Sequence, residues 1–140
     1  MAKSLLNPVA EMVQDNLITD TQPRPHIWSV TLDGTTPATL KRGTLLTIDL
    51  ESEGKAKPAE SDSLEEATIA GILADDVTIT ESDSAGVTAA VYDKGCFDPE
   101  LILDKDGAKL KLDVKTVYAL QSRDIYLKSQ LHVYNAKEAD

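Results

Sequence analysis

The amino-acid sequence predicts a mainly β, α+β fold: a small β-rich domain with two short helices and an extended N-terminal arm. Three observations predict it. Apolar and polar residues alternate over several short runs, the period of a half-buried strand. Turn signals such as Asp33-Gly34, Gly43 and residues 81–86 separate these runs. Helix-start signals followed by apolar residues at helical spacing are confined to short stretches. At 140 residues one domain is the simplest division, and aromatics at 4% leave the core to Leu, Ile, Val and Ala.

Residues 1–25 read as the arm. Asn7 is a helix cap with Pro8 at the first helical position, and Val9, Met12, Val13 and Leu17 follow at helical spacing. So short a helix is marginal alone and needs a surface, either on its own domain or on another subunit. Pro23 and Pro25 then favour extended chain before the β-rich domain, residues 26–134.

The first strand, "IWSVTL", sets Trp28, Val30 and Leu32 on one face. In "LKRGTLLTIDL" Gly43 turns the chain, and Leu46, Ile48 and Leu50 alternate with Leu45, Thr47 and Asp49. Residues 51–66 are polar and read as a loop. "IAGILADDV" (residues 69–77) is an apolar strand with a glycine at its centre and two acids at its end. A glycine there marks a bulge, a bend or the close approach of another backbone, inside the domain or at a subunit boundary. Strands over residues 77–80 and 87–92 follow, joined by the turn at 81–86.

Asp98 as cap, Pro99 and Glu100 predict the first short helix. Asp113 caps the second, with Val114, Val117, Tyr118 and Gln121 on one side. "DIYLKSQLHVY" (residues 124–134) closes the domain as a strand, and residues 135–140 are a polar tail.

A formal net charge of -10 opposes binding to phosphate backbones, so no nucleic-acid partner is expected. No apolar run reaches membrane-spanning length, so no membrane partner is expected, and the absence of a signal-like apolar block points to synthesis in a cytosol. Cys96 is the one cysteine; it has no intramolecular partner and reads as a small buried hydrophobe.

Catalytic and metal signatures are not found. "DKDG" fails as a calcium loop, because Gly107 at the sixth position puts Ile102 where an oxygen ligand must stand. His26 and His132 belong to no ligand cluster and read as solvent-facing. No serine sits in a nucleophile elbow, and the glycines are dispersed singly rather than forming a phosphate cradle. Asp75-Asp76 could pair as general acid and base, but acids just after a strand ordinarily face water. The expectation is a protein that works by contact, with no catalytic residue, metal or cofactor.

The run "TIAGILADDVTITESDSAGVTAAVYDKGCFDPELI" resembles the head decoration proteins of tailed phages, the family of the phage lambda head decoration protein D. The shared order is a strand ending A-x-G-I-L, a variable turn, a strand of alternating small and β-branched residues, then an aromatic-x-x-Gly segment leading into a short helix. These fall at residues 67–73, 75–86, 87–92 and 92–103. "DNLITD", "LKRGTLL" and "DIYLK" are similar to further segments, although Asp124 stands where a glycine is more usual. The excursion at 51–66, the first fourteen residues and the tail after Leu127 have no counterpart.

The resemblance implies a β-dominated homotrimer on the outer surface of the virion capsid, made in the host cytoplasm. It would sit at local threefold positions of the phage major capsid protein, bind after shell expansion and cement the shell against DNA pressure. It also implies an N-terminal arm that extends a capsid sheet by strand addition. Asp15, Asn16, Leu17, Ile18, Thr19, Asp20 and Thr21 are then the capsid-binding residues, with Leu17 and Ile18 as apolar anchors. Trp28 is either a further anchor or a core residue. Deleting residues 1–21 is expected to leave a folded trimer that no longer holds expanded shells. Two other classes stand beside this reading. A trimeric β-fold nucleotide hydrolase such as a deoxyuridine triphosphatase would need phosphate loops. A virion-attached glycan-binding module would need exposed aromatics among Trp28, Tyr92, Tyr118, Tyr126 and Tyr134.

Overall fold

In the computed structural model, residues 17–60 and 68–128 are described. Residues 7–16 of the predicted arm helix, His132, Tyr134 and the polar tail lie outside them; Leu17, the last apolar position of that helix, is described and is not helical. Among the described residues there are nine strands: β1 Ile18–Asp20, β2 His26–Leu32, β3 Ala38–Leu40, β4 Leu45–Asp49, β5 Lys55–Pro58, β6 Ile69–Leu73, β7 Val77–Ile79, β8 Val87–Phe97 and β9 Ile125–Leu127. Among the described residues there is one α-helix, α1, Val114–Ser122. The mainly β expectation holds.

The first of the two predicted short helices, at Asp98, does not form as an α-helix. Asp98 does cap, accepting from the Glu100 amide at 2.9 Å, but the result is a single 3-10 turn, Pro99–Leu101. Ile102 returns to extended backbone, and Leu103 bridges to Thr44 and Lys109. The helix is lost because this chain joins the sheet's flank one turn after it starts. The expected loop at 51–66 also contains structure: β5 pairs antiparallel with β4, and Ala56 is fully buried. In "KAKP" one small inward side chain suffices for a strand, so no apolar alternation announced it.

The sheet closes on itself. β8 pairs with β2 along one edge and with β6 along the other; β6 pairs β4, β4 pairs β5, and β5 meets β2 at Leu32↔Ala56. A ring of five strands cannot close through antiparallel pairs alone, and the closing β2–β5 contact is the parallel one. Asp33 extends that seam by donating its amide to the Ala56 carbonyl at 2.8 Å.

Two cores result, one on each side of a shared wall. Side chains alternate across a strand, so a strand buried on both faces feeds both cores. Leu32, Leu46, Leu73, Ala89 and Val91 point into the ring with Leu40 and Ile79, the last two from the β3–β7 ribbon. Leu45, Ile72 and Tyr92 point out of it, into a second core with Leu17, Phe97, Ile102, Leu110, Leu120 and Ile125. α1 covers this second core with Ala119 and Leu120.

Gly71 sits in this wall where β6 and β8 approach closely. Its φ is +144°, and a Cβ there would lie 2.5 Å from the Tyr92 carbonyl oxygen and 3.3 Å from Asp93 Cα. The β4–β6 register shifts beside it, with Leu46 opposite Gly71 but Thr47 opposite Ile69. The glycine therefore serves a close approach within the domain: β8 backbone presses against β6 at a bulge.

Candidate functional site

The predicted site residues divide between two places. Asp15 and Asn16 lie outside the described residues. Leu17 is 1% exposed in the second core, and its carbonyl accepts from the Asp98 amide at 2.9 Å. As an outward anchor Leu17 is thus corrected: it faces its own domain because the end of β8 offers it an apolar bed around Phe97. Ile18, Thr19 and Asp20 are half-buried in β1, antiparallel to β8, with Ile18 opposite Phe97 and Asp20 opposite Cys96. Thr21 is exposed.

β1 and β2 lie in line along the same edge of β8, Ile18 facing Phe97 at one end and Leu32 facing Val87 at the other. Residues 17–20 are therefore a strand of the sheet, and residues 21–25 are a detour between two paired segments.

Polar contacts fix β1 further. The Lys128 ammonium donates to Asp20 Oδ2 at 2.9 Å, and the Thr21 and Gln22 amides donate to Asp20 Oδ1 at 2.7 and 3.3 Å. β9 flanks β8 on the edge opposite β1, so the Asp20–Lys128 pair ties together the two strands that clasp the end of β8. The Lys128 hydrogen bond, then those two amides, hold the Asp20 carboxyl below its ordinary value; the same contact raises Lys128. Thr19 Oγ1 lies 3.6 Å from Cys96 Sγ, a thiol buried beneath β1.

Trp28 stands apart, on β2. Its register partner Val91 faces the ring core, yet Trp28 is 60% exposed because the seam has opened before the strand reaches it. Ile27, on the other face and opposite Tyr92, is 59% exposed at the rim of the second core. No sequence signal singles out Ile27, because strand alternation predicts that only one of two neighbours is exposed. His26 stacks beside Trp28 with ring centroids 6.2 Å apart, and its Nδ1 lies 2.7 Å from Asp93 Oδ1.

The acids that end β6 have structural surroundings. Asp76 Oδ1 accepts the Arg42 amide at 2.7 Å, while Asp75 is exposed. The Arg42 guanidinium donates to the Ala74 carbonyl at 2.6 Å and to the Tyr92 hydroxyl at 2.9 Å. Among the described residues no group of three or more His, Cys, Asp or Glu is placed to hold a metal ion. A cleft of about 300 Å³ at the mouth of the ring is lined by Asp33, Leu40, Lys57, Ile79 and Lys105. Its two lysines sit 3.5 Å from Asp49 and Glu60.

α1 turns a different face inward from the one its spacing suggested. Thr116, Ala119 and Leu120 are buried, whereas Val114 and Tyr118 are 85% and 70% exposed. Of the tyrosines, Tyr92 is buried and Tyr126 is exposed.

The chain matches no protein-family model, and no curated protein shows significant similarity to it.

Proposed function

We propose that this chain is a head decoration protein of a tailed phage. It binds as a homotrimer to the outer surface of the expanded capsid, at local threefold positions of the major capsid protein, and cements the shell against internal DNA pressure. One observation carries the reading: the segments that bear the resemblance, β6 with Gly71 and β8 from Val87 to Phe97, form the wall shared by both cores. The resemblance thus falls on the part of the chain that defines the fold, where spacing and small residues are constrained by packing.

The mechanism is one of valency. Three copies joined together present three weak contacts, and after the first engages the others become effectively intramolecular. A lattice with the mature spacing accepts all three at once, so binding favours that state over an unexpanded or ruptured one. Within each copy, β1 fastens the start of the described chain to β8. Thr21 and Trp28 remain exposed.

The test is to mix the purified protein with expanded, undecorated phage heads and image them. Density at local threefold positions is the expected result. Heads that stay bare at saturating protein overturn the reading, and nucleotide turnover or a strong glycan-array signal would replace it with one of its rivals.

A further inference from the structure

The outer edge of β2 is the place where the fold is unfinished. β2 meets β5 only at Leu32, so from His26 to Thr31 no described strand pairs with its outer edge. Unpaired backbone donors and acceptors in a row are a template for another strand. Ile27 and Trp28 stand at this edge on opposite faces, each about 60% exposed, at the rims of the two cores. A flat partner surface could cover one of them. An added strand covers both, because its own side chains alternate across the same two faces.

Charge says what the strand belongs to. Arg24 lies in the chain just ahead of β2 and Lys94 stands opposite His26 at the start of that strand, both exposed and neither in an ion pair with a described residue, while Asp93 is engaged by His26. The rim is basic on a chain whose net charge is -10. A second copy of the same chain presents a predominantly acidic surface to that rim. The two exposed side chains together offer on the order of 250 Å² of apolar surface, roughly a third of what each partner buries in a stable interface. That is enough for the centre of a contact between copies, with the remainder supplied by the rim.

We infer that the outer edge of β2, with Ile27 and Trp28 as anchors and Arg24 and Lys94 as its rim, receives an extended segment of a second copy of this chain. The inference rests on the homotrimeric part of the function proposed above and assigns its contact. Because this edge is used once per copy by a different part of the neighbour, the association is head-to-tail, the kind that closes into rings.

Trp28 is the one tryptophan of the chain, so its emission reports this edge directly. The full-length protein is followed by sedimentation and by tryptophan emission from about 1 to 200 µM, a range bracketing ordinary micromolar association. Association with a blue shift of Trp28 emission is expected. Ile27→Lys should stay monomeric at concentrations at least tenfold higher, keep a red-shifted emission and retain the wild-type circular dichroism. Arg24→Glu with Lys94→Glu should weaken association several-fold, less so at high salt. The inference is overturned if the wild type associates with unshifted Trp28 emission, or if Ile27→Lys associates like the wild type. A wild type that is monomeric throughout yet coats expanded heads overturns this contact and leaves the decoration reading standing. One that is monomeric and leaves heads bare removes both.

Discussion

Replacing Gly71 with alanine tests the central feature of the fold. Two costs combine. The backbone holds φ at +144°, a region that side-chain-bearing residues rarely adopt, and holding a residue in such a region costs about 1–3 kcal/mol. The new methyl would also lie 2.5 Å from the Tyr92 carbonyl oxygen, with Asp93 Cα at 3.3 Å, and both are backbone atoms fixed by the β8 ladder. Overpacking of that kind costs a further ~1–3 kcal/mol. The sum centres on about 4 kcal/mol, against a total stability of ~5–15 kcal/mol for an ordinary domain.

Gly107→Ala is the matched control. Its φ of +75° is also left-handed, but nothing lies within 4 Å of the added Cβ. It carries the backbone cost alone, about 1–2 kcal/mol, and the entropy removed from the unfolded chain is the same in both variants and cancels. Urea or thermal unfolding should therefore separate the two by about 2–3 kcal/mol. At roughly 3–5 °C per kcal/mol for a domain of this size, Gly71→Ala should melt ~10–20 °C below the wild type. If it unfolds within 1 kcal/mol of Gly107→Ala, the β6–β8 approach is not the constraint, and the account of the wall is wrong.

Truncation isolates β1: a deletion of residues 1–16 is the reference against which a longer one is compared. Deleting residues 1–21 also strips β1 and Leu17, and emptying a buried leucine site alone costs about 2–5 kcal/mol, so the folded trimer first expected of that deletion should be markedly destabilised. For pH, Asp20 lies below 3.8, so its contribution is present above that value and lost as pH falls through the depressed one. Lys128 lies above 10.5, so its contribution is present below that value and lost as pH rises through the raised one. The protection factors of the β1 amides, taken against the intrinsic pH dependence of amide exchange, should accordingly hold between these limits and fall outside them, and Asp20→Asn should abolish the acid-side change. Asp75→Ala should alter stability by under ~0.5 kcal/mol and Asp76→Ala, which frees the Arg42 amide, by about 1 kcal/mol; a loss of more than 3 kcal/mol from either would require a role not seen in their surroundings.

Much of the sheet was legible because its wall is buried on one or both faces. β6 and most of β8 read directly from apolar runs bounded by turn signals, and the cap at Asp113 from its position before a helical repeat; its carboxylate does accept the Thr116 amide at 2.8 Å. What failed to read was set by tertiary partners. β1 and β3 are three-residue strands, too short for any period, and exist because β8 and β7 offer edges to them. α1 carries apolar groups on more than one side, and its spacing could not say that Ala119 and Leu120, rather than Val114 and Tyr118, would meet the core. At Asp124 the departure from the expected glycine has a visible cause: its φ is +62°. Aspartate is among the few residues that tolerate this region. The turn there lets the Asp124 carbonyl accept from the Gly95 amide and set the register of β9.

The site was legible only as a region. Residues 15–21 and Trp28 were grouped by sequence, but residues 17–20 are packed into the sheet while Trp28 is exposed, a difference that bears on the proposed cementing function. A tether is useful only if it is anchored more firmly than it is loaded. β1 runs antiparallel to β8, so a pull along the chain from residue 16 acts along the strand and strains its ladder bonds together rather than one at a time. Leu17 must leave the core, and the Asp20–Lys128 pair must break, before that ladder can slide. Ile27 and Trp28 have no such backing, since the strand that would cover them is not among those described. One end of the β1–β2 line is therefore built to hold, and the other is left to be completed by contact. On the proposed function, a shell bound through such copies would fail first at contacts between molecules, where the loss of one is restored by its neighbours, and not inside the fold.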